Sequence, residues 1–305
     1  MTTLPAHTPY DGSSRPFTIG LKPLDPVEWI EVDGHLLAHL EEKRRLYREL
    51  PEKVFVEQPG TREAQREVLD LVEAHLLVHH SATHRSTGAD VAVVGAEEDT
   101  PVFEAPLATA SLLVQEDLIL MRRHEDGWRL DAGALCFPSS WSLGEKFGRP
   151  LQEIHRPVPG FGPGTRPDLL IARMFDNLAV EQPVQRFNWS VQANDALYHP
   201  LSDRERDVRA ATRPSGFADG DVDTHAFLRV ERQTLRKLPA SGDILFTIRI
   251  HLDPIKVLAR HPDRKALATA FAAQLMALDE AQLDYKGLTA DRDRLVARLE
   301  QMAAA

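Results

Sequence analysis

The chain has 305 residues, a formal net charge of −10, and 43% hydrophobic and 27% charged residues. That composition describes a globular protein with a sizeable core, and its acidity argues against general affinity for nucleic acid or anionic membrane while suiting a cationic substrate. A single cysteine, Cys136, excludes an internal disulfide, a structural cysteine–zinc site and a cysteine-ligated iron–sulfur cluster.

Residues 1–16 lack the basic and apolar regions of a secretory signal and read as a flexible lead-in. No apolar run reaches the roughly 18 residues of a membrane span, so a cytoplasmic protein is expected. Pro26 to Leu50 reads as a helix, with Trp29, Leu36, Leu37, Leu40 and Tyr47 among charges; a second helix covers Thr61 to His79, where Ala64, Val68, Leu71, Val72 and Leu76 recur at helical spacing. A polar segment, Ser81 to Asp90, then leads into a β-rich part. His80 and His84 have the i, i+4 spacing of a metal pair, but no H-E-x-x-H glutamate accompanies them, and the stretch reads as a solvated loop. Ala110 to Gln115 and Leu118 to Arg123 look like strands; His124 to Gly127 is a turn, and Trp128 to Phe137 the returning strand.

The segment from Trp128 to Pro159 holds the most pointed signal. Ser142 and Glu145 have capping-box spacing, Gly148 interrupts the run, and Pro150 suits the start of a second turn. Leu151, Ile154 and His155 then share one helical face, and Pro157 and Pro159 end the turn. An imidazole on a rigid, apolar, proline-bounded turn suits a single axial haem ligand; the same pattern also fits a core histidine with both nitrogens hydrogen-bonded. Cys136 fits a small core residue better than a thiolate ligand.

Asp168 to Leu178 is an expected helix and Val184 to Gln192 a strand. Asp219, Asp221 and Asp223 mimic a calcium loop, but Thr224 and Val230 stand where glycine and glutamate are required. Phe227 to Pro239 and Asp243 to Leu252 flank Ala240-Ser241-Gly242 as a hairpin. A three-residue loop would pair Pro239 with Asp243. That register sets Glu231 opposite His251 and Gln233 opposite Arg249, with Arg229 on the same face. Val230, Ile244, Phe246, Ile248 and Ile250 would take the other face. Ala266 to Leu278 and Asp291 to Met302 read as helices able to cover the sheet, swap with a neighbour in a homo-oligomer or form a partner surface. The whole is an α+β protein. With no G-x-G-x-x-G after a strand and no P-loop lysine, a redox reaction here would draw its electrons from another polypeptide.

The wording CFPSSWSLGEKFGRPLQEIHRPVPGF, with GLKPLDPVEWIEVD upstream and RFNWSVQ and LRVERQTLRKLPASGDILFTIRIHLDP downstream, resembles the haem-dependent oxidative N-demethylase family, in particular its haem-carrying alpha subunit. The resemblance runs from about Phe17 to Pro254. It implies a PAS-like antiparallel sheet with N-terminal helices over residues 17–255, and the helices read beyond Pro254 make 256–305 a helical C-terminal extension. It further implies haem b held through His155 and a small secondary or tertiary alkylamine oxidised by dioxygen to the shorter amine and formaldehyde. Electrons would come from a partner reductase carrying FMN and a 2Fe–2S cluster and using NADPH. Glu231 matches the family's amine-holding carboxylate. His251 stands where the family favours a tyrosine phenol, and Arg186, Asn188 and Arg249 are candidates for propionate or pocket-wall contacts. A PAS-like haem sensor and a non-catalytic ligand-binding subunit are the alternative readings. No output domain or recognisable coiled coil supports the sensor.

Overall fold

Long strands rich in β-branched and apolar residues, with polar residues interleaved, set up a sheet whose two faces are both covered. The computed structural model describes residues 4–88, 90–96, 103–217 and 221–305. In chain order the first part gives β1 (Lys22–Pro23), α1 (Leu36–Glu49), α2 (Pro51–Val54), β2 (Phe55–Glu57), α3 (Arg62–His79), β3 (His84–Ser86), β4 (Val91–Val93), α4 (Pro106–Ser111), β5 (Asp117–His124) and β6 (Gly127–Ala134). There follow α5 (Leu143–Lys146), α6 (Leu151–His155), α7 (Arg166–Asp176), β7 (Val184–Gln192), α8 (Asp203–Thr212), α9 (Val222–His225), β8 (Phe227–Lys237), β9 (Ile244–Pro254), α10 (Arg264–Met276), α11 (Glu280–Lys286) and α12 (Arg292–Ala304). Among the described residues, seven strands form one antiparallel sheet in the order β1-β7-β8-β9-β5-β6-β2, and β3 pairs with β4 apart from it. The protein is therefore mixed α+β, and among the described residues no helix is long and apolar enough to cross a membrane.

Three apolar clusters surround the sheet. One face presents Ile119, Met121, Leu130, Leu235, Ile248 and Ile250 to α5, α6 and α7. On the other face, Leu118, Leu120, Ala132, Ala134 and Leu245 pack under α1, α3 and α4. Trp189, Val191, Leu228 and Val230 pack there under α10 and α12. Arg232, Arg249 and His251 occupy a polar seam between those two helical layers, close to Glu31 and Asp33. The stretch before Phe17 is packed at two points: Tyr10 stacks on Phe271 with ring centroids 4.7 Å apart, and His7 bonds to Glu31.

The structure corrects several expectations. The single helix over Pro26 to Leu50 is split into a 3-10 turn at Pro26–Glu28 and α1, because the Asp33 carboxylate accepts from the His35 N–H at 2.8 Å and forms a turn of its own. Ala110 to Gln115 is no strand. Pro106 opens α4, and Leu107 and Ala110 meet one cluster while Ala108 and Leu112 meet another. A short run apolar on every side carries no period to tell the two apart. The β6 strand stops at Ala134 because the Cys136 and Phe137 N–H groups donate to the Asp117 carboxylate at 2.8 and 2.9 Å. His84 is buried, not solvated, with Nε2 2.9 Å from the Leu113 carbonyl. His80 Nε2 lies 3.1 Å from the carbonyl of Ile30, so the two rings serve the backbone. Asp221 caps α9 and Asp223 pairs with Arg298, while Asp219 lies outside the described residues.

The hairpin register differs by one residue. Leu238 N donates to Asp243 O, and the closing strand pair is Lys237 with Ile244, so the loop is the four residues Pro239 to Gly242. Glu231 stands opposite Ile250 and Arg232 opposite Arg249. Since side chains alternate between faces, a slip of one moves the whole set of β9. Phe246, Ile248 and Ile250 join the face of Glu231 and Gln233, and Arg249 and His251 go to the opposite face.

Candidate functional site

Between the sheet and α5–α7 lies a cavity that admits water centres over about 260 Å³. That volume stands just below the about 300–1,000 Å³ of typical small-molecule and cofactor pockets. The walls are mainly apolar, from Ile119, Met121, Leu130, Leu235, Phe246 and Ile248 of the sheet and Leu151, Ile154, Val158, Phe161 and Phe175 of the helical side. Phe17, Ile19 and Leu21 of the N-terminal segment complete them.

His155 reaches this cavity from the last residue of α6, which starts after Pro150. The expected capping box before it does not form. The Ser142 side chain makes no cap bond, and the Glu145 carboxylate instead accepts from Asp203 N at 3.0 Å, at the start of α8. Leu151, Ile154 and His155 nevertheless share the cavity-facing side as their spacing requires. The Nδ1 atom of His155 is closed to solvent and has no hydrogen-bond partner among the described residues. Burial, and then the nearby Arg186 guanidinium, push its pKa down to about 4, so the ring is neutral at physiological pH. A neutral imidazole with an unpartnered nitrogen in an apolar chamber is the donor state that metal ligation requires.

On the sheet wall, β7 and β8 place Arg186, Asn188, Ser190, Glu231 and Gln233 on the cavity face. Gln233 Nε2 donates to Glu231 Oε2 at 2.7 Å, with Asn188 Nδ2 farther away at 3.5 Å. Oε1 accepts no hydrogen bond among the described residues. Arg229, on the same face, is buried and donates to the carbonyls of Phe137 at 2.7 Å and Pro138 at 3.1 Å, so it fixes the chain after β6. Arg186 Nε is closed to solvent without a partner among the described residues, and desolvation lowers the guanidinium's pKa. Lys146, Arg206 and Lys286 add three more cationic side chains to the lining. Lys146 and Arg206 both reach Asp203, at 3.4 and 2.6 Å. The cavity therefore has more cationic than anionic side chains in its walls.

Of the six residues singled out from the sequence, the structure gathers His155, Arg186, Asn188 and Glu231 around one cavity and leaves two out. His251 bonds to Glu31 at 3.0 Å and Arg249 to Asp33 at 2.6 Å, both in the polar seam behind the sheet. Cys136 is fully buried with its thiol pKa pushed up by desolvation, and it does not line the cavity.

Tyr285 and Lys286, missed in the sequence, line the cavity from the end of α11. Burial raises the Tyr285 pKa, so the phenol keeps its proton. Burial brings Lys286 down to about 8, and its ammonium sits 4.5 Å from the Trp189 ring centroid. The local signal for α11 was present as the Asp279–Gln282 capping box and the left-handed Gly287 that ends the helix. Nothing local shows that it reaches a cavity whose other walls come from between Phe17 and Ile248.

One family model matches most of the chain. The model described as haem-dependent oxidative N-demethylase, alpha subunit-like, matches residues 20–296, which includes the cavity's helices, its sheet wall and α11. The chain belongs to the haem-dependent oxidative N-demethylase alpha subunit-like family.

Proposed function

We propose that the protein is the haem-binding subunit of an amine monooxygenase that removes a methyl group from a small secondary or tertiary amine. The observation carrying this reading is the neutral His155 ring, with its unpartnered buried nitrogen, in the same cavity as the carboxylate of Glu231. The residues present fit a b-type haem. His155 would hold its iron, the apolar walls would take its macrocycle, and Arg186 with Lys146, Arg206 or Lys286 would meet its propionates. The antiparallel sheet with helices over a ligand cavity supports a PAS-like core. Because Tyr285 and Lys286 lie beyond residue 255, the C-terminal helical segment takes part in the site.

When bound, haem would supply the activation of dioxygen. The polypeptide binds and orients the amine. Glu231, fixed through Oε2 by Gln233, offers Oε1 to the amine N–H and balances the charge of an ammonium. Tyr285 holds a phenolic proton at the same cavity and supplies the phenol that the family resemblance would put where this chain has His251. The apolar walls keep water from the reacting methyl group. In sum, amine, dioxygen, two electrons and two protons give the shorter amine, formaldehyde and water. A reductase with FMN, a 2Fe–2S cluster and NADPH would deliver the electrons.

Two measurements test this reading. The purified protein should show a haem Soret band that His155→Ala abolishes or makes dependent on added imidazole. With NADPH and a flavin and iron–sulfur reductase it should release formaldehyde from a methylamine. A haem spectrum without amine-dependent formaldehyde would favour a sensor, and no haem at all would leave a ligand-binding subunit.

A further inference from the structure

We infer that His7, Glu31 and His251 form a binding site for a zinc-class divalent cation, in the seam behind the sheet and separate from the cavity. The three residues come from distant parts of the chain: the N-terminal arm, the segment after the 3-10 turn, and β9. Their ligand atoms all lie within 4.8 Å of one another. Oε2 of Glu31 is the common vertex, 3.1 Å from His7 Nε2 and 3.0 Å from His251 Nε2. Ligand atoms about 2.1 Å from a tetrahedral ion stand about 3.4 Å apart, so both pairs are close to ligation spacing. Two imidazoles and a carboxylate are a donor set that divalent zinc, iron and their neighbours accept, and such three-ligand sites leave a coordination position open.

The surroundings hold the carboxylate in place for this. Arg232 Nε reaches the other oxygen, Oε1, at 3.2 Å, and His7 Nε2 lies 2.9 Å from that same oxygen, so His7 faces both oxygens of the carboxylate while His251 faces Oε2. Arg232 is anchored in turn by the Trp29 carbonyl at 3.1 Å and Gln185 Oε1 at 3.0 Å. A charged donor behind a ligating carboxylate fixes its orientation, as outer partners of metal ligands commonly do. The His7 ring packs against Phe187, with centroids 4.6 Å apart, and meets the His251 ring edge-on at 5.0 Å. The ion would thus join the N-terminal arm to β9. That arm continues to Phe17, Ile19 and Leu21, and β9 carries Phe246 and Ile248, all of them cavity-lining. The metal would hold two walls of the cavity together from behind the sheet.

The test uses full-length protein without a histidine tag, titrated with zinc chloride by calorimetry and analysed for metal after gel filtration. We expect one zinc per chain that His7→Ala and His251→Ala each abolish and His79→Ala retains. Zinc should also raise the melting temperature of the wild type and leave that of His7→Ala unchanged. His7 lies on a partly exposed arm, so this variant keeps the fold, and its circular dichroism verifies that. The absence of a saturable zinc equivalent in the wild type would overturn the assignment, as would its survival in both His7→Ala and His251→Ala. Loss in His79→Ala alone would place the ion on α3 and overturn it equally.

Discussion

At the scale of single residues, the two groups that the sequence set face to face belong to different sites. Glu231 lies on the cavity wall and His251 behind the sheet. This separation predicts a contrast. Glu231→Gln should weaken amine binding by roughly 10- to 150-fold, the equivalent of losing a hydrogen bond to a charged group worth about 1.5–3 kcal/mol, with haem content unchanged. His251→Ala should change the amine KM much less, because His251 reaches the cavity only indirectly, through the wall behind the sheet. Spectral titration of haem-loaded protein with the amine, followed by formaldehyde release, measures both. Equal losses in the two variants would show that the carboxylate does not act on the amine directly. His155, Arg186, Asn188 and Glu231 were legible because each lies in a stretch whose wording or alternation fixes its face. His251 was misplaced because its face depends on a register that one loop residue decides.

The elements show the same limit. Helix α3, β7 and the two long hairpin strands were readable from periodicity, since each keeps one period for nine residues or more. The boundaries that failed are those where a side chain takes over a backbone hydrogen bond, as Asp33 does before α1, Asp117 at the end of β6 and Glu145 at α8. The Asp117 and Glu145 bonds span 19 and 58 residues and have no local signature, whereas the Asp33 turn spans two residues and is local. The hairpin loop offers a direct check. Gly242 closes it at φ +74, with nothing within 4 Å of where a Cβ would stand. A substitution there therefore meets backbone strain and no clash. Gly242→Ala should cost about 1–2 kcal/mol, read as a lower urea midpoint with an unchanged slope, whereas Gly242→Asn should cost less because asparagine tolerates the left-handed region. A large change in slope for Gly242→Ala would mean that the turn alters more than one dihedral.

At the scale of the whole molecule, both sheet faces are covered, and several histidines are enclosed without charge. Burial lowers His39 to about 3, His75 to about 3 and His155 to about 4. The unfolded chain takes up a proton on each ring near pH 6.5, and the folded chain does so only near 3 or 4. Their contribution to stability is therefore complete above about pH 6.5 and is lost as the pH falls through that window. Carboxylates shifted in both directions obscure the total: Asp33 is held low by Arg249, while desolvation raises Glu116 and Asp117. A difference between two proteins removes those terms. His75 is the ring to vary, because it touches neither the cavity nor the His7 cluster. Its Nε2 is buried without a partner, its ring meets Trp29 edge-on at 5.4 Å, and His79 and His80 stand beside it as further potential positive charges. His75→Phe keeps a planar ring against Trp29 and removes the unsatisfied nitrogen, whose burial costs about 1–3 kcal/mol. The variant should be at least as stable as the wild type at pH 7. Its advantage should then widen as the pH falls below 6.5, by up to about 1.4 kcal/mol per pH unit. Urea unfolding of both proteins at pH 7, 6 and 5 measures this. An advantage that stays constant across the three pH values would mean that the folded protein accepts a proton on His75 as readily as the unfolded chain does.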